Sequence, residues 1–108
     1  MITQLPPHQQ RAQHAILAYW LAHWDGECPV LFGLQRATLE QILAAWPACA
    51  ETRPSEVAQA VLCGIRELLD GASALSPVAV AERTGVSADE LGACLKRIRP
   101  WIDQVSQP

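Results

Sequence analysis

The chain is short of charge. Lys, Arg, Asp and Glu make up 18% of its 108 residues, whereas 50% are hydrophobic. That balance excludes the disordered class, whose segments bury too little apolar surface to offset the entropy of ordering. It also leaves little polar material to cover a small surface, so some apolar area is expected to stay open to a partner. A basic excess is missing as well. The formal net charge is −3, and residues 54–108 hold five Lys/Arg against seven Asp/Glu. Nucleic-acid modules draw much of their affinity from neutralised phosphates, and this chain has little to neutralise them with.

Clips for metals and disulfides are equally scarce. The four cysteines, at 28, 49, 63 and 94, form no CxxC pair. His8, His14 and His23 form no His-x-x-x-His clip, and the nine-residue offset of His14 and His23 turns them about 180° apart on one helix. The expectation is no metal, no cofactor and reduced, mostly packed thiols. No Ser, Cys or His stands in a recognisable nucleophile setting and no glycine-rich phosphate loop occurs, so no enzyme is expected. The opening MITQLPPHQQR has neither a basic start nor an apolar run, and Ala15–Trp24 is too short to cross a bilayer. These features predict a cytoplasmic protein without a membrane span.

What the chain does have is one repeated spacing. Leu17, Trp20, Leu21 and Trp24 follow i, i+3, i+4, i+7. So do Leu39, Ile42, Leu43 and Trp46, then Ala58, Val61, Leu62 and Ile65, and finally Leu91, Cys94, Leu95 and Ile98. Stripes at this period, with no comparable alternation, predict an all-α fold of about five helices. Pro6 and Pro7 precede the first, which stops at Asp25-Gly26. Thr38 with Gln41 reads as a capping box for the second, and Pro47 follows its end. Pro54 or Ser55 opens the third, and Asp70-Gly71 closes it. Ser76-Pro77 starts a short fourth. Ser87 with Glu90 caps the fifth, and Pro100 limits it. The segment ECPVLFGLQ, residues 27–35, reads as a buried connection with room for a short helical turn, PACAETR, residues 47–53, as a hinge, and the tail QVSQP as frayed. One domain of 108 residues results, with an N-terminal helical pair over 1–47 and a C-terminal trio over 54–102.

Around Gly85 the trio takes on a familiar pattern. Ala81 lies four residues before Gly85, Val86 follows as a buried turn residue, Ser87 caps the next helix, and Leu91 and Leu95 point back to the core. Residues 77–96 resemble a helix-turn-helix of the kind common in bacterial transcription regulators. The resemblance implies a left-handed backbone at Gly85, a close helix crossing at Ala81, and a helix 88–98 whose leading residues enter a major groove. The outward positions of that helix are Ser87, Ala88, Asp89, Gly92, Ala93 and Lys96. Only Lys96 is a strong donor among them, while Asp89 and Glu90 suit a helix dipole better than a phosphate surface.

Lys96, Arg97 and Arg99, with Arg83 nearby, form a basic patch that serves either helix-end charge compensation or contact with DNA or a partner. Ser87 belongs with them as a candidate contact. Trp20, Trp24 and Trp46 fall on apolar stripes and read as core; Trp101, beyond the last stripe, either folds back or meets a partner. The expected function is therefore a small non-enzymatic helical binding module, acting through protein–protein interaction or self-association. The alternative is a DNA-binding transcriptional regulator using residues 77–98.

Overall fold

The computed structural model describes residues 2–106, and all the regular structure among them is helical. A 3₁₀ turn, Ile2–Gln4, precedes seven α-helices: α1 Pro7–Ala22, α2 Cys28–Phe32, α3 Arg36–Ala44, α4 Cys49–Thr52, α5 Pro54–Asp70, α6 Pro77–Thr84 and α7 Ala88–Val105. The expected all-α class is observed, but the described residues form seven α-helices rather than about five. The two additional ones, α2 and α4, lie in the segments read as connection and hinge. Helices of five and four residues are too short to show a period in the sequence.

α5 is the axis of the assembly. It packs against α7 on one side and α1 on another, while α1 also carries α3 and α6. Val57, Ala58, Val61, Ile65 and Leu68 supply its fully buried stripe. At Gly64 the backbone comes close to α1: a Cβ there would stand 3.2 Å from Ile16 Cγ2 and 3.3 Å from Leu17 Cδ2. The indole N–H of Trp20 donates to Gly64 O at 3.0 Å, so the small residue and the hydrogen bond hold the α1–α5 crossing together. One hydrophobic cluster runs from Ile2 to Ile102.

The caps divide into those legible in the sequence and those that are not. Ser76 Oγ accepts from Ala79 N at 3.2 Å and Ser87 Oγ from Glu90 N at 3.1 Å, each satisfying an otherwise orphaned donor of a first turn. The Thr38/Gln41 box is absent. α3 begins earlier, with Gln35 at the N-cap and no side-chain cap, its first turn supported by the exposed Arg36–Glu40 pair. Gln41 instead accepts from Arg53 Nη1 at 2.6 Å, tying α3 to the start of α5.

Two boundaries also move. α1 ends at Ala22, before Asp25, because His23 leaves the helix and Trp24 lies against Phe32, ring centres 5.6 Å apart. α7 does not stop at Pro100 but continues to Val105. Pro100 is on the solvent side, where the carbonyl it leaves unbonded can be hydrated, and Ile98, Trp101, Ile102 and Val105 keep the opposite face on the core. Gln104 and Val105 of the tail expected to fray are thus helical; Gln107 and Pro108 lie outside the described residues.

Candidate functional site

The segment Pro77–Val105 forms helix, turn and helix. Gly85 has φ +78°, the left-handed conformation that closes α6, and its N–H bonds to Ala81 O at 2.9 Å. Thr84, which carried no signal in the sequence, locks the turn from within. Its buried hydroxyl lies 2.8 Å from Val80 O and 3.0 Å from Val86 O as donor, and accepts from Val86 N at 3.2 Å. Val86 and Leu91 are buried, and Leu95 packs partly against the core. Ala81, however, is exposed; the buried residues of α6 are Val80 and Thr84, and α6 packs mainly on α1. The close crossing at Ala81 implied by the resemblance is not formed.

Two of the four basic residues are engaged within the fold. Arg83 lies over the Tyr19 ring of α1, its guanidinium carbon 4.9 Å from the ring centre, a contact worth roughly 0.5–1 kcal/mol where exposed. Arg99 Nε pairs with Asp103 Oδ1 at 3.1 Å. Lys96 and Arg97 are exposed, but each shares its face of α7 with acid. Asp89 and Asp103 lie seven residues to either side of Lys96, and Glu90 seven before Arg97, so each is about 20° from its cation around the helix. Of the outward positions, Ser87, Asp89, Ala93 and Lys96 are exposed, whereas Ala88 and Gly92 are half-buried. Trp101 is half-buried against the core.

Two further features stand out. The first is α2. Cys28 and Phe32 are buried and Phe32 sits against Trp20 and Trp24, with ring centres 5.7 and 5.6 Å away. Between these anchors Val30 is 84% exposed and Leu31 44%. The expectation of a buried connection over 27–35 is therefore only half met: a single helical turn can bury its i and i+4 residues and must turn the intervening ones outward. Asp25 Oδ1 accepts from Glu27 N and Cys28 N at 2.9 and 3.2 Å, starting the turn. The backbone bond from Glu27 is the main cause holding the Asp25 carboxyl below its usual range.

The second is a cleft of about 470 Å³ between α1 and the α3–α4 connection, lined by Pro7, Gln10, Arg11, His14, Trp46 and Pro47. Pro7, Arg11 and His14 recur at i, i+4 and i+7 along α1. Trp46 forms the opposite wall, its indole N–H donating to Gln10 O at 3.1 Å and its ring meeting His14 at 61° with centres 6.5 Å apart. A smaller cleft of about 220 Å³ lies where α1 meets α7, lined by Pro6, His8, Gln9, Glu90, Ala93, Cys94 and Arg97. Gln9, in its wall, and Gln13, one turn further along α1, are buried, and neither Oε1 accepts a hydrogen bond from the described residues.

All four cysteines are free, and burial pushes each thiol above its usual value. A raised thiol holds its proton near neutrality and is a poor nucleophile. Among the described residues no group of three His, Cys, Asp or Glu side chains could hold a metal ion, and no helix is long and apolar enough to cross a membrane. Comparison with protein families, with curated proteins and with solved structures finds no match for this chain.

Proposed function

We propose that this chain is a small, non-enzymatic, cytoplasmic binding module that acts through protein–protein interaction, self-association included. The observation that carries the reading is α2, which holds Val30 and Leu31 in solvent on a turn anchored at both ends by Cys28 and Phe32. Apolar side chains presented from a fixed backbone lose little freedom when a partner covers them, which is the economy of a preorganised contact. The distribution of charge on α7 supports the same reading, since every cation there has an acid on its own face.

A DNA-binding regulator is the second reading, favoured by the left-handed Gly85 turn and the Ser87 cap at the head of α7. Phosphate contact by Arg83 and Arg99 would require release from Tyr19 and Asp103, leaving Lys96 and Arg97 as the uncommitted cations. A titration with random-sequence duplex at low salt separates the two, because even non-specific DNA binders retain duplex there. The expected result is no retention. Salt-dependent retention that weakens in Lys96→Ala and Arg97→Ala would overturn the protein-binding proposal.

A further inference from the structure

The anchored turn and the larger cleft of the same chain are complementary in two respects. α2 offers Val30 and Leu31 beside two exposed acids, Asp25 and Glu27, and no basic residue occurs between Asp25 and Arg36. The cleft offers the apolar faces of Pro7, Trp46 and Pro47 beside Arg11 and His14, with no acid in its lining. Arg11 is exposed and forms no ion pair among the described residues. An apolar protrusion flanked by two acids thus has its counterpart in an apolar recess flanked by the cation of Arg11, the arrangement that steers encounter and sets register between partners.

Both elements are held in shape before they meet. Phe32 is fixed between Trp20 and Trp24, and Gly33 ends the turn with φ +66°. Trp46 is fixed by its bond to Gln10 O, and Gln10 in turn donates its amide to Thr3 O and Leu5 O at 3.2 and 2.9 Å. This anchoring also prevents the protrusion from filling the recess of its own chain. α2 is tied to α1 at Trp20, whereas the recess faces Arg11; nine residues of helix separate them, roughly 14 Å along the axis.

We infer that the recess of one copy receives Val30 and Leu31 of a second copy, with Asp25 and Glu27 of the incoming chain facing Arg11. The inference rests on the binding-module reading and names its partner. The contact is heterologous, two different surfaces meeting, so an open assembly keeps a free protrusion at one end and a free recess at the other until a ring closes.

Sedimentation velocity over a wide concentration range tests it. The wild-type chain associates as concentration rises. Leu31→Asp and Arg11→Glu each weaken association by about tenfold or more, as expected when a central apolar anchor or its facing charge is lost. Both positions are exposed, and unchanged circular dichroism confirms that folding is preserved. Neither Arg11→Glu nor Glu27→Arg self-associates well alone, but an equimolar mixture regains association, because the unaltered recess of Glu27→Arg meets the unaltered protrusion of Arg11→Glu and the converse contact pairs the two introduced charges as opposites. A wild-type chain that stays monomeric throughout, or an Arg11→Glu variant that associates as the wild type does, overturns the inference. A monomer that also fails to retain duplex DNA removes the second copy as partner and leaves the binding-module proposal standing; duplex retention removes the proposal itself.

Discussion

Replacing Gly85 isolates the cost of one backbone angle. The residue has φ +78°, and a Cβ built on it meets nothing within 4 Å. No collision contributes, so what remains is the cost of a left-handed conformation in an L residue, about 1–2 kcal/mol. Against this stands the restriction a side chain imposes on the unfolded chain, which favours substitution by about 0.4–1 kcal/mol. Gly85→Ala is therefore expected to lose about 1 kcal/mol, Gly85→Val about 2 because branching crowds the left-handed region further, and Gly85→Asn the least. Gly92 provides the control. It also has open space at Cβ, but lies in α7 without a positive φ, so Gly92→Ala should gain about 0.5–1 kcal/mol. Urea unfolding at constant m-value reads these differences from the midpoints. If Gly85→Ala matches or exceeds the wild type, the left-handed turn is not the constraint described.

Three further outcomes rest on other parts of the fold. Pro100→Ala restores a backbone donor inside α7 and should stabilise by about 1–2 kcal/mol, less than the full helix penalty of proline because proline also restrains the unfolded chain; a thermal melt that falls instead refutes the placement of α7. Gln13 is 1% exposed with its Oε1 unpartnered and its amide 3.9 Å from Cys94 Sγ, so Gln13→Met should raise stability by about 1 kcal/mol. A clear loss would show that the amide is needed. The thiols set an alkaline limit: desolvation is the first cause raising Cys28, Cys49, Cys63 and Cys94 above 9.0. Their contribution is fully present below that unfolded value and is lost as pH rises through the raised folded values. Unfolding midpoints should fall from pH 8 to pH 10, and a Cys49→Ala/Cys94→Ala variant should fall less steeply; equal slopes would exclude the thiols as the cause.

The amino-acid sequence by itself determined the class and much of the punctuation. Apolar residues at helical period mark α1, α3, α5 and α7, because one face of each must leave water. Pro54, Ser76-Pro77, Ser87 and Gly85 mark ends, because capping and left-handed turns are made by residues within a few positions of one another. Much local chemistry is legible when both partners lie in one short window, although the Thr84 hydroxyl that locks the Gly85 turn is local and gave no signal.

What only the tertiary structure decided involves partners far apart in the chain. Gln9 and Gln13 lie on the buried side of α1 with Ala12, Ile16 and Leu17, and their polarity hid the first turns of that stripe from any hydrophobic pattern. Pro100 looks like a stop until Ile102 and Val105 are seen against the core beyond it. Val30 and Leu31 read like core residues, yet burial of Cys28 and Phe32 on a single turn leaves them in solvent. The recess requires Arg11 and Trp46 to meet across two helices. Arg83 is drawn over the ring of Tyr19, a partner far from it in the chain. Which residues face one another depends on how helices cross, and a one-dimensional period carries no information about that crossing.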